Sequence, residues 1–234
     1  MGAKVASFEL QLAVRLMVES NRAARILAVG CSGVIGDVQQ FVLEQNVERL
    51  KQALVSEQDL ALAATMRAQL IADQRELALL LAATAGVRVG PKPPIPVGGD
   101  ADTLRGRLDR QFNDSDTMCM LIDPGPGLII IDINAIFEQQ VGVRRESVVG
   151  RPLFEAFPEN PHETTSSRVD AVYRALRAAG ETAKPQALPV RRFDIRNAEG
   201  QWEERYWQAV YTPIFDPGMR LAFILQQTMP ADRP

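Results

Sequence analysis

Side chains able to do chemistry are few in this chain, and that scarcity is the first constraint on what it does. There is one histidine, His162, in the stretch ENPHETTSS. A single imidazole rules out a multi-histidine metal site and leaves no second histidine for a proton relay, so most hydrolase templates fall away. Asp123, Asp132, Glu155 and Glu163 could supply a general acid and a general base, but nothing in their spacing places them together. Cys31 and Cys119 lie far apart without a metal or redox spacing and read as ordinary reduced thiols. The expectation is therefore no enzyme, no catalytic residue and no metal site, but a binding or signalling protein.

Composition narrows the class further. The chain has 234 residues, 46% of them apolar and 24% charged, the profile of a globular protein with one large or two modest domains. With 29 acidic against 26 basic residues and a formal net charge of -3, it has no run of Lys or Arg, so nucleic acid is not an expected partner. The apolar runs LALLLAATAGV and MLIDPGPGLIII are too short, or too broken by Asp and Pro, to span a membrane. At the start, MGAKVASFELQLAVRLMVES carries Glu9 and Arg15 inside its apolar stretch and reads as an amphipathic helix, not a secretory leader. A cytoplasmic protein without a membrane partner is expected.

The elements divide the chain. RVGPKPPIPVGGDAD, residues 88–102, holds four prolines and three glycines and reads as a linker between a helical region, residues 1–87, and a second domain, residues 103–229, followed by a tail, residues 230–234. No proline precedes Gly90, and Ala, Leu, Glu, Gln and Arg dominate, so the first region is all helix. One helix is expected from Ser7 to about Val29, a second after a capping box at Asp37 and Gln40, and a third over Glu57 to Ala85 with a cap at Ser56 and Asp59. Whether the chain folds back near Ser56 is open. Leu43, Val47, Leu50 and Leu54, then Leu62, Met66, Leu70 and Leu77, form stripes at helical spacing. These stripes serve either an intramolecular bundle or, the reading preferred because three Ala-rich faces bury little alone, a coiled-coil or four-helix homodimer.

The second domain has a different period. After a short helix, Thr103–Phe112, come apolar β-branched runs at Thr117–Ile122 and Leu128–Ile133 around the turn DPGPG, a hairpin. Short helices over Asn134–Val141 and Glu146–Val149 lead into VGRPLFEAFPENP, too rich in proline for a long helix or strand yet half apolar. A helix over Ser166–Gly180, with Gly180 as its stop, precedes three strands at about Ala187–Arg196, Gln201–Thr212 and Met219–Thr228. Helices held to one side of an antiparallel sheet make an α+β domain, with the helical crossover joining opposite sheet edges. Trp202 and Trp207 would lie on opposite faces of one strand. Arg191, Arg192, Arg196, Glu203, Glu204 and Arg205 read as cross-strand charge pairs.

LIIIDIN running into AIFEQQVGVRRESVVGRPLFEAFPENP, and later RFDIRNAEGQWEERYWQAVYTPIFDPGMRLAFIL, resemble a PAS domain of the kind found in bacterial sensor histidine kinases. The likeness covers about residues 113 to 229 and includes Asn134 after the second strand, the VGRPLFEAFP segment and the ERYW strand. It implies a five-stranded antiparallel sheet curled over a small cavity. The residues expected to line that cavity are Ile131, Ile133, Phe137, Leu153, Phe154 and Phe157 from the first part, then Val172, Tyr173, Leu176, Phe193, Trp207 and Phe223. In the same reading VGRPLFEAFPENP is a cavity wall and the segment expected to move on ligand binding.

The resemblance also frames the cofactor. A photoactive flavin of the LOV kind needs a cysteine in the short helices, and residues 134–163 contain none. Sensor heme is held by a histidine on the long helix, where this chain has a position near Val169; His162 reads as an exposed loop residue. Heme and photoactive flavin are thus disfavoured, and the ligand is unknown. The function implied is non-enzymatic sensing of a small molecule or partner, relayed through the N-terminal helices to a separate effector such as a kinase or regulator, as in two-component signalling. The alternatives are an interaction scaffold with a closed, ligand-free core, and a heme- or flavin-binding sensor. No output domain is recognisable in the sequence.

Overall fold

The structure, a computed structural model, describes residues 34–87, 112–163, 166–196, 200–216 and 218–234. The helix expected over Ser7–Val29, the linker and most of the helix expected over Thr103–Phe112 lie outside the described residues. The chain groups into two compact units: one reaches Leu80, and the other runs from Leu81 onward apart from the short stretch Thr164–Ser167. The last turn of the second long helix therefore belongs with the sheet.

In the first unit, α1 (Val34–Ser56) is already helical ahead of the expected capping box. The chain folds back after Ser56. Asp59 caps α2 (Leu60–Thr84), its Oδ1 accepting from the amides of Ala61 at 2.9 Å and Leu62 at 3.1 Å, which satisfies two donors the first helical turn would leave open. Ser56 bonds back to the Ala53 carbonyl instead. Leu50, Leu62 and Met66 form the hairpin core with Ala53, Leu54 and Leu70 against it, and Gln39 Nε2 donates to Glu76 Oε1 at 3.0 Å. Of the stripe read as a dimer face, Leu43, Val47, Leu50, Leu62 and Met66 are buried within the single chain, whereas Leu54, Leu70 and Leu77 are half-buried. A second copy could use the buried five only by opening this packing.

The second unit is built on β1 (Met118–Ile122), β2 (Ile130–Ile133), β3 (Gln186–Arg192), β6 (Tyr206–Phe215) and β7 (Leu221–Pro230). They form an antiparallel sheet in the order β2-β1-β7-β6-β3. Between β2 and β3, at opposite edges, come α3 (Ala135–Val141), α4 (Arg145–Val148), α5 (Leu153–Ala156) and α6 (Arg168–Thr182). α3 packs on β1, and α6 packs on β3, β6 and β7. This is the α+β architecture expected, with the helical crossover where the pattern put it.

Three local departures have physical causes. Leu121 pairs with Asp132 and Ile122 with Ile130, so Ile131 is the extra residue of a bulge and is 36% exposed. On β3, the register slips between Leu188 and Arg191, around Pro189, which has no amide hydrogen for the ladder. The long strands expected on either side of the Asn197–Gly200 turn are each interrupted. Ile195–Arg196 (β4) and Trp202–Glu203 (β5) form their own two-stranded ribbon, because the chain breaks at Asp194 to bind Arg192 at 2.7 and 2.9 Å and Asn160 at 2.6 Å. The two tryptophans thus stand on different strands. α6 also runs past Gly180 to Thr182, and Ala183, with φ of 55°, takes the left-handed position.

Asn134 joins the helical layer to the sheet. Its Oδ1 caps α3 by accepting from the Phe137 amide at 3.0 Å and also accepts from the Cys119 amide at 3.0 Å. Its Nδ2 donates to the carbonyls of Phe112 at 3.0 Å and Thr117 at 2.9 Å.

Candidate ligand cavity

The sheet register sets the cavity floor. Met118 faces Thr228, Thr228 faces Ala209 and Ala209 faces Leu188, while one step along Met120 faces Gln226 and Gln226 faces Tyr211. All seven line one cavity. Phe137 from α3, Leu153 and Phe154 from α5, the following Phe157, and Val172 from α6 close it from above. Phe137 and Phe157 meet edge to face at 5.6 Å and 64°, an arrangement that suits the aromatic quadrupoles. At the far end Phe193, Trp207 and Ile195 complete the wall, and the Trp207 indole donates to the Phe193 carbonyl at 3.0 Å.

Of the residues expected to line a cavity, the structure brings together Phe137, Leu153, Phe154, Phe157, Val172, Phe193 and Trp207. The others lie elsewhere. Ile131 is turned out by its bulge, and Ile133 is buried in β2 away from the lining. Leu176 is fully buried in α6 packing, and Tyr173 is buried with its hydroxyl donating to the Gly86 carbonyl at 3.0 Å. Phe223 belongs to the opposite sheet face, against the cluster of Phe112, Cys119, Leu121 and Leu225, because inward β7 positions are the even-numbered Gln226 and Thr228. The polar floor residues Tyr211, Gln226 and Thr228 were not among the expected ones, although strand alternation places Tyr211 on the face of Trp207.

The cavity is partly open to solvent and has a volume of about 70 Å³. One water needs roughly 10–15 Å³, so this holds a small molecule. Among the described lining residues none is His or Cys. His162 sits exposed in its loop, its amide donating to Asn160 Oδ1 at 3.0 Å. Among the described residues no group of three or more His, Cys, Asp or Glu could hold a metal ion. Three of the four carboxylates noted above have separate partners: Asp123 accepts from the Gly125 amide, Asp132 pairs with Arg145, and Glu163 pairs with Arg192.

Three arginines border the cavity: Arg191 is exposed, and the other two are engaged. Arg168 lies over the Phe193 ring, 3.7 Å from its centroid, and donates to the Phe157 carbonyl. Arg192 pairs with Asp194, with Glu204 at 2.8 Å and with Glu163 at 3.3 Å. Of the charge pairs expected across the strands, Arg192 with Glu204 is one; Arg205 pairs instead with Glu203 two residues away, and Arg196 lies over Trp202. Burial pushes the Asp194 carboxyl up, but hydrogen bonds from Arg192 and Asn160 outweigh it and hold it below the ordinary carboxylate range. A depressed folded value means that the stability Asp194 contributes is complete above the unfolded value near pH 4 and is lost as pH falls through the folded one. Urea unfolding at a series of acid pH values is expected to show a flatter loss of stability for Asp194→Asn than for the unaltered protein.

The strand and helix that wall the cavity continue into a clasp on the end of α2. β1 runs into the turn Asp123–Gly127, where the Gly127 amide donates to the Ala82 carbonyl at 2.8 Å and the Pro124 carbonyl accepts from the Val87 amide at 2.7 Å. On α6, Val172 lines the cavity and the next residue, Tyr173, holds Gly86. Segment 150–153 is stitched to the same hairpin: the Gly150 amide donates to Ile130, Ile130 to Arg151, and Leu153 to Leu128. The segment expected to move is thus pinned at its start.

The second unit is thus a five-stranded antiparallel sheet with helices over one face and a small cavity between the two layers. Residues 112–227 match the family model described as PAS fold, and the C-terminal half of this chain is a member of that family. Among solved structures, it is similar to a LOV protein of Rhodobacter sphaeroides, at 16% identity over 56% of this chain and 69% of that one, with a TM-score of 0.43. It is also similar to the PAS domain of a Colwellia psychrerythraea protein, at 17% identity over 56% and 98% of the two chains and a TM-score of 0.40. The LOV domain of a blue-light activated histidine kinase of Erythrobacter litoralis is 18% identical over 51% of this chain and 99% of that one, with a TM-score of 0.38. No curated protein matches the chain. Among the described residues no helix is long and apolar enough to cross a membrane.

Proposed function

We propose that this is a non-enzymatic signalling protein whose PAS domain reads a small molecule in the cavity and passes its state to the end of α2, and so to a separate effector in the cytoplasm. The observation that carries the reading is the adjacency of Val172 and Tyr173: one lines the cavity, the next holds Gly86. A ligand that displaces Val172 acts on Tyr173 through a shared turn of helix. It can do so only to the extent that it favours one arrangement over another. Pairing of two chains through the helices belongs to the same proposal, and would use the outward Val38 and Phe41 of α1, 55% and 60% exposed, in place of the buried stripe.

Native mass spectrometry of the purified protein tests the reading. A stoichiometric small molecule, released on unfolding, is the expected result. Ligand-free protein from every expression host would favour the closed scaffold.

A further inference from the structure

The cavity is apolar on most sides, and its floor is not. Tyr211 is 1% exposed and lines the cavity, yet its hydroxyl meets no hydrogen-bonding partner among the described residues. Thr228, its diagonal neighbour across the β6 and β7 pairing, is 8% exposed. The Thr228 Oγ1 accepts from Gln226 Nε2 at 3.0 Å, which leaves its own hydrogen to donate. Two hydroxyl donors therefore face a space whose apolar walls include Met118, Met120, Phe137 and Phe157. A ligand acceptor placed there would take the place of water on these hydroxyls.

Charge selects further. The floor carries no ionised group, Arg168 is held by the Phe157 carbonyl and the Phe193 ring, Arg192 is shared among three carboxylates, and Arg191, the third lining arginine, is exposed to solvent, where water screens its charge. Burial pushes the Tyr211 phenol above its usual range, so it remains a neutral donor, and the same burial penalises an anion beside it. The Phe and Met wall suits a flat apolar body.

From these groups we infer that the cavity takes a small, uncharged, mainly apolar molecule bearing one carbonyl-type acceptor, which receives hydrogen bonds from Tyr211 and Thr228. This rests on the sensing reading above and names the ligand class for it.

Three probes of similar shape separate the two claims: ethylbenzene, acetophenone and benzoate. The ε-methyls of Met118 and Met120, 13C-labelled and assigned with Met118→Leu and Met120→Leu, report occupancy by ring-current shifts. Acetophenone is expected to bind about fivefold more tightly than ethylbenzene, the worth of roughly one buried hydrogen bond, and benzoate more weakly than either. Tyr211→Phe should bring acetophenone to within about twofold of ethylbenzene while leaving ethylbenzene unchanged. Equal binding of ethylbenzene and acetophenone, or tighter binding of benzoate, overturns the ligand class and leaves a sensing cavity in place. If no probe shifts either methyl, both the class and the sensing reading fail.

Discussion

Asn134→Ala is expected to lower the unfolding free energy by about 4 kcal/mol, because it deletes three buried hydrogen bonds and one part-buried one at one residue and strands their partners. The partners are on separate elements. The Phe137 amide is a helix-start donor, the Cys119 amide lies in β1, and the Phe112 and Thr117 carbonyls lie in the approach to the sheet. Water cannot readily replace the side chain, since Asn134 is 3% exposed. Urea denaturation followed by circular dichroism measures the loss. A cost near 1 kcal/mol, that of an ordinary cap, would mean that the side chain does not tie the helical layer to the sheet.

Gly86→Ala is expected to break the clasp on the end of α2. Gly86 has φ of 60°, where a side chain costs about 1–2 kcal/mol. A Cβ there would lie 2.3 Å from the Pro124 carbonyl oxygen and 2.4 Å from Gly125, both backbone, so the turn or the helix end must move. The shift also endangers the bond from Tyr173 and the pairing of Val87 with Pro124. Hydrogen exchange is expected to show faster exchange at the Val87 and Gly127 amides, with the middle of α6 unchanged. Protection equal to that of the unaltered protein would show that the clasp tolerates the added methyl.

Strand and helix order was legible because apolar periods of two and of three to four survive even at moderate hydrophobicity, and the turns carry Asp, Pro and Gly. The sheet and the crossover follow from that pattern, whereas most of the aromatic lining follows from the resemblance to PAS domains. Strict alternation failed where the ladder does: at the Ile131 bulge, around Pro189, and at Asp194, whose carboxylate is used to bind Arg192 and Asn160. Tyr211, Gln226 and Thr228 are not marked by an apolar period, because their polar groups break it, although alternation from Trp207 points to Tyr211. The role of Gly86 was hidden for another reason. A glycine after an apolar helix reads as a stop, and its contact with Pro124 depends on a turn thirty-eight residues further on. The helical stripes show the limit of periodicity, which reports that a face is buried without saying what buries it.

Coupling between the cavity and the helix end is the central claim, and hydrogen exchange with the cavity filled tests it most directly. Protein saturated with acetophenone, as shown by the Met118 methyl shift, should exchange at Val87 and Gly127 at rates different from those of the ligand-free protein, and Val172→Ala should diminish the difference. Unchanged exchange at both amides with the cavity demonstrably occupied would contradict the account.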